Sequence, residues 1–249
     1  MNALLDEQGL LSAIRARRSG ATLFASAREL EKRVCPVVKD QGKAMKVGIF
    51  AGVHGDEPSG VKAAHMLHRW ALTLPKELSG YEIHLFPCCN PSGLNDGTRH
   101  TGMGYDINRE FWCGSDLPEV RYLESELRSE RYDVIVSLHE DDTSDGLYGF
   151  VSGSLLSEQV LKPALIAASR YLPLNLDERI DGFSASGGVI IEGYPGVLSA
   201  PPEQRPRALE IVFETPGRAS VKLQAVAAAV AVKTMLVEYR KFLAYADNL

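Results

Sequence analysis

Residues 47–57 read Val-Gly-Ile-Phe-Ala-Gly-Val-His-Gly-Asp-Glu, a seven-residue apolar run that ends in a cluster of ionisable groups. An unbroken apolar run of this length matches a strand buried on both faces, the pattern of a parallel sheet covered by helices. Residues 59–72 follow with helical spacing, and Pro58 stands where a helix best takes a proline, in its first turn. Apolar runs at 83–87, 134–138, 147–151 and 209–213 predict four more strands. Helical patterns lie between them and after them, at 118–131, 160–171 and 220–243, and a further helix is expected over 1–17. The alternation predicts one α/β domain spanning 1–249, with a mixed, mostly parallel central sheet flanked by helices. No internal repeat or Pro/Gly/Ser-rich linker divides it, and the long segment 193–207 reads as a functional loop.

Bulk properties narrow the class without naming a chemistry. The chain has 249 residues, 45% hydrophobic and 24% charged, which excludes disordered and fibrous proteins. Lys and Arg number 27 against 32 Asp and Glu, a net charge of −5 with no basic footprint, so neither nucleic acid nor an anionic membrane is expected as a partner. The first twenty residues carry Asp6, Glu7, Arg15, Arg17 and Arg18 and hold no uncharged core of a signal peptide. The weakly polar run 225–232 is far too short to cross a membrane. Cys35, Cys88, Cys89 and Cys113 form no CxxC pair, so free thiols and a reducing cytoplasm are expected. Nothing in the sequence sets an oligomeric state.

In open α/β sheets, ligands bind outside the carboxyl ends of the strands. The residues that follow the predicted strands are His54-Gly55-Asp56-Glu57, then Asn90-Pro91 with Arg99 beyond, then His139, then Glu214. His54 and Glu57 are three residues apart, so a tight turn at Gly55 lets an imidazole and a carboxylate converge on one ion. Two histidines and a glutamate form a ligand set for catalytic zinc that leaves a position for water, and His139 is the natural third ligand. Residues 90–111 form a long glycine-rich stretch that carries Arg99, Asn108 and Arg109. An arginine there could clamp a carboxylate or support an oxyanion, and an Arg109–Asp106 pair tying the loop down reads equally well. Glu214 follows so apolar a run that desolvation should raise its pKa toward a value useful in general-base work, although it could simply cap the turn at 215–217. Glu140-Asp141-Asp142 forms an acidic cluster that suits either a basic substrate group or a solvated loop.

Taken in order, these pieces resemble the zinc metallocarboxypeptidases of the M14 family, with which the succinylglutamate desuccinylase/aspartoacylase enzymes share a scaffold. The matching pieces are His54-Gly55-Asp56-Glu57, Asn90-Pro91-Ser92-Gly93, Arg99, Asp106-Ile107-Asn108-Arg109-Glu110-Phe111, Ser137-Leu138-His139 and Phe213-Glu214. The resemblance implies a zinc carboxypeptidase-like fold and one Zn²⁺ held by His54, Glu57 and His139. It implies Glu214 as the base that activates the attacking water, Arg99 as the group that polarises the scissile carbonyl, and Asn108 and Arg109 as binders of a free carboxylate. Tyr194 could match a tyrosine that closes over substrate, or simply pack in its Gly-Tyr-Pro turn. The implied substrate is a small peptide or an N-acyl amino acid with a free carboxylate. A non-catalytic zinc-binding, peptide-sensing module on the same scaffold is a further alternative, disfavoured because Glu214 is present. The compact length and the spacing from Arg99 to Asp106 look more like small bacterial γ-D-glutamyl-diaminopimelate peptidases. The deacylases usually add a C-terminal β domain, which is not expected after the final helix.

Overall fold

A computed structural model describes residues 30–37, 44–191 and 197–246. The helix expected over 1–17 and Tyr194 lie outside them. The strands are β1 (Glu31–Val34), β2 (Met45–Ala51), β3 (Tyr81–Cys88), β4 (Val134–Asp141), β5 (Tyr148–Val151), β6 (Arg179–Ile180), β7 (Phe183–Ser186), β8 (Val189–Ile190) and β9 (Leu209–Pro216). The helices are α1 (Pro58–Thr73), α2 (Pro91–Asp96), α3 (Pro118–Glu130), α4 (Ser154–Leu156), α5 (Lys162–Ala168) and α6 (Val221–Ala246). A π-helical turn, Ser157–Leu161, joins α4 to α5.

One mixed sheet runs β1-β3-β2-β4-β9-β5-β8-β7-β6. Its centre is parallel, with β3, β2, β4 and β9 side by side in one direction. Its flanks are antiparallel, β1 on β3 at one edge and β5 on β9 toward the other. This is the mixed, parallel-centred sheet between helices that the apolar runs predict.

Alternation along the central strands feeds two cores. Ile49, Val136 and Leu138 face α1, α5 and α6, where Leu67, Leu165 and Val232 meet them. Phe50, Phe86 and Ile135 face the other way, against Val120, Leu123 and Leu127 of α3. Phe50 and Phe86 stack at 4.5 Å between ring centroids, with Tyr132 edge-on to both. The chain passes from β2 to β3 through α1 on one face, then returns past β2 to β4 through α3 on the other. The winding therefore changes direction at β2, and a crevice opens at the carboxyl ends of β2 and β4.

Four expectations about element extent change in the structure. Strands β4 and β9 each run three residues past their apolar runs, so His139 and Glu214 lie within strands rather than after them. Pairing continues there because the ladder partners remain in place while the side chains turn to a polar cavity. The turn-rich segment after β3 is mostly helix α2, capped where the Asn90 side chain accepts from Gly93 N at 2.9 Å. The helix expected at 160–171 begins earlier and ends at Ala168. Strands β6 to β8 were not expected, because runs of two to four residues carry too little periodicity to read.

Leu123 is fully buried beneath the aromatic stack. Leu123→Ala is expected to lower stability by about 3 kcal/mol, read as a shift in the denaturant midpoint without a change in slope.

Candidate active site

The turn after β2 carries His54 and Glu57, and its shape depends on a close approach. A Cβ on Gly55 would stand 1.8 Å from the Gly93 carbonyl carbon, backbone against backbone. A Cβ on Gly93 would meet Asn90 Nδ2 at 2.4 Å and His100 O at 2.7 Å. The two motif glycines thus allow the His54 turn to sit directly on α2. Contact, rather than a left-handed φ at Gly55, is what demands glycine there.

Parallel register supplies the next groups. His139 pairs with Glu214 across β4 and β9, and Tyr148 of β5 pairs with Glu214 from the other side. Residues opposite each other share a face, so the three side chains form a row on one side of the sheet.

Glu57 joins the two histidines. Its Oε1 lies 2.5 Å from His54 Nδ1, and its Oε2 lies 2.9 Å from His139 Nδ1. All three residues are buried, and their ligand atoms lie within 4.8 Å of one another. Burial opposes ionisation of Glu57, but the flanking His139 and His54 outweigh it and lower its pKa to about 2. Two imidazole nitrogens and an ionised carboxylate converging in a buried place are donors that fit a divalent metal such as zinc.

Asp106 organises the opposite side. Its Oδ1 lies 3.2 Å from His54 Nε2 and also accepts from Asn108 N, while Arg99 NH2 meets its Oδ2 at 2.9 Å. Burial would raise the Asp106 pKa, but His54 and Arg99 hold it well below the usual carboxyl range. The alternative in which Asp106 ties down Arg109 is not what forms. Arg99 is the partner, and its NH1 also reaches His54 Nδ1 at 3.3 Å. Exposed Arg109 instead bonds the Asn108 carbonyl through NH1. Asn108 is buried and accepts from Leu198 N at 2.9 Å, a structural duty the sequence did not reveal.

These groups line a cavity of about 330 Å³ that includes His54, Glu57, His139, Arg99, Arg109 and Glu214. Glu140, Asp141, Asp142, Tyr148 and Asp181 line it as well. Glu140 and Asp141 are thus half-buried strand residues of the cavity lining, and Asp142 joins that lining from an exposed position after the strand. Glu140 accepts from Ser59 N in the first turn of α1 at 2.6 Å, where the helix dipole favours an anion. Tyr148 OH bonds Asp141 at 2.9 Å and reaches Asp181 at 3.4 Å. Tyr148 lies inside a strand the apolar runs predict, where only strand-end residues were read as candidates, and Asp181 escaped because it lies between the short strands β6 and β7. The Glu214 residue touches solvent through the cavity, yet its carboxylate lies deep. Burial raises its pKa, His139 pulls it back, and Glu57, Asp141 and Asp181 add repulsion, leaving it at about 8.

A family model of the succinylglutamate desuccinylase/aspartoacylase catalytic domain matches residues 43–176, more than half of the chain. The match contains His54, Glu57, Arg99, Asn108, Arg109 and His139, whereas Glu214 lies beyond it. Comparison with curated proteins gives no match. Among solved structures, a protein from Shewanella denitrificans OS217 provisionally named a metallopeptidase is 21% identical, with 92% of this chain and 87% of that one covered at a TM-score of 0.69. A metallo-carboxypeptidase from Burkholderia cenocepacia is 16% identical over 94% of this chain and 68% of that one, at 0.68. A succinylglutamate desuccinylase from Silicibacter sp. TM1040 is 14% identical over 84% of this chain and 60% of that one, at 0.53. At these identities the likeness shows the fold. The four cysteines are free, and no helix among the described residues is long and apolar enough to cross a membrane.

In chelator-treated protein, the folded chain holds the Glu214 proton to about pH 8, against an ordinary value of 4.5. Between those values the unfolded chain binds fewer protons, so stability falls as pH rises. Glu214→Gln removes that slope. Its stability advantage over the native chain should be absent near the bottom of this window and grow toward the top, as read by denaturant unfolding at stepped pH.

Proposed function

Because the chain belongs to the succinylglutamate desuccinylase/aspartoacylase catalytic-domain family, we propose that it is a zinc-dependent hydrolase of the metallocarboxypeptidase type, cleaving an amide bond beside a free carboxylate. The observation that carries this reading is the single Glu57 carboxylate spanning the Nδ1 atoms of His54 and His139, with Glu214 and Arg99 on the same cavity. His54, Glu57 and His139 would hold one Zn²⁺. When bound, the ion supplies Lewis-acid polarisation and makes water a stronger acid.

The chain's own residues do the rest. Arg109 and Asn108 bind the substrate's free carboxylate and fix its position at the rim. Arg99, held by Asp106, offers its guanidinium to the scissile carbonyl oxygen as negative charge develops there. Glu214 takes a proton from the attacking water and delivers it to the departing amine nitrogen, as the carbon–oxygen bond forms and the carbon–nitrogen bond breaks. Its raised pKa suits both halves of that transfer. Tyr194, in the segment before β9, remains a candidate for closing over substrate. Every proposed group except Tyr194 lies on or beside one sheet, so the chain works as one catalytic unit. Its free thiols support a cytoplasmic setting.

Purified protein is expected to carry one zinc per chain and to lose hydrolysis of small peptides on chelation. Glu214→Gln should lower turnover by about 10²- to 10⁴-fold while zinc stays bound. Full activity in that variant, or in metal-free protein, ends the reading.

The charge of the cavity separates peptide from N-acyl dicarboxylate substrates. Beside Glu214, which holds its proton, five carboxyl groups (Glu57, Glu140, Asp141, Asp142 and Asp181) stand against two guanidinium groups. One divalent ion leaves that balance negative. A substrate carrying several carboxylates meets repulsion from this acidic lining, whereas a peptide with an amino group beside it meets attraction. We therefore favour a peptide over a deacylase substrate. Asp142→Asn should lower kcat/KM for an amine-bearing peptide by about fivefold and raise it for N-succinylglutamate. Equal effects on both substrates would remove this preference.

A further inference from the structure

The apolar run of β4 is broken by one polar residue, Ser137, which is buried among apolar strand partners. Phe50 and Val212 are its register neighbours on β2 and β9. A buried hydroxyl costs stability unless it is hydrogen-bonded. Its partner is the ring of His139, with Oγ 2.8 Å from Nε2. Two residues apart on one strand, the side chains share a face, which is what lets the hydroxyl meet the ring.

The two histidines are anchored by unlike partners. Both turn Nδ1 to Glu57 and present Nε2 to the surroundings. His54 Nε2 meets the ionised Asp106 carboxylate, which can only accept. That partner keeps a proton on Nε2, so once a cation replaces the Nδ1 proton that faces Glu57, His54 stands in the ligating tautomer. His139 Nε2 meets a hydroxyl, which accepts or donates according to its rotation. With the His139 proton on Nδ1, facing Glu57, Ser137 donates to Nε2. With the Nδ1 lone pair given to a cation, the proton lies on Nε2 and Ser137 accepts it.

We infer that Ser137 is a positioning residue that holds the His139 ring in either tautomer and thereby sets the divalent-cation affinity of the His54, Glu57 and His139 group. The inference rests on the metal-binding reading given above. It assigns the two sides of the site different parts: Asp106 locks one imidazole in the ligating tautomer, and Ser137 lets the other exchange between the bridged and ligating forms.

The test is a competition titration of chelator-treated protein with Zn²⁺ against a chromophoric chelator, with the visible absorption of the Co²⁺-loaded protein as a second readout. Native chain, Ser137→Ala and Ser137→Thr are compared, with folding of each checked by circular dichroism. Ser137→Ala is expected to weaken Zn²⁺ binding by about tenfold or more and to alter the Co²⁺ bands, since losing a metal ligand's outer partner costs about 10- to 100-fold in affinity. Ser137→Thr, which keeps the hydroxyl, should return both to near the native values. Native affinity and an unchanged Co²⁺ spectrum in Ser137→Ala overturn the inference while leaving the metal site standing. Equal weakening in Ser137→Thr assigns the loss to packing and overturns it too. A native chain that binds neither ion overturns the metal reading itself, and the inference with it.

Discussion

Side chains opposite each other in paired strands point to the same face, and the site is built on that constraint. Pairing of β4 with β9 sets His139 against Glu214, and pairing of β9 with β5 sets Glu214 against Tyr148. Shifting β4 by one residue would turn His139 toward α1, α5 and α6 and drive Leu138 into the cavity. Both faces of the central sheet are packed, so that slip would expose or misplace an entire row of apolar side chains, and the register is strongly specified. The apolar cores therefore do more than stabilise the chain: they hold a buried imidazole beside a buried carboxylate that, unassisted, prefer to be apart or in water.

Electrostatics then divides the cavity. Glu57 stays ionised despite its burial because two imidazoles face it, and Asp106 stays ionised because His54 and Arg99 do. Glu214 has no comparable cationic support, and its pKa rises instead. Carboxylates within one cavity thus reach different protonation states through their neighbours. That separation is what the roles proposed for them, ligand, anchor and proton carrier, would each require. Arg99 ties the division to the backbone, because Asn90 bonds its carbonyl while Asp106 bonds its side chain.

Much of this was legible beforehand, for identifiable reasons. Buried parallel strands need continuous apolar runs, so β2, β3, β4 and β9 announce themselves, and ionisable residues at their ends stand out against that background. Other features left no local mark. Strands β6 to β8 are too short to show a period, so Asp181 could not be placed. Gly55 reads as a turn residue, whereas its constraint is the Gly93 backbone, thirty-eight positions away in the chain and in direct contact in space. Asn108 reads as a substrate binder and also holds the backbone at Leu198.

By itself, the sequence determined the parallel-centred α/β architecture, the order of its motifs and the identity of the two histidines and the glutamate at its strand ends. These depend on local periodicity and on residue type, which a linear chain displays. Only the tertiary structure decided which partner each ionisable group takes: Asp106 with Arg99 rather than Arg109, Ser137 with His139, and Glu140 and Asp141 as half-buried strand residues of the cavity lining. Those pairings follow from strand register and from two backbones in contact. Both are relations between distant segments that exist only once the apolar faces have been buried.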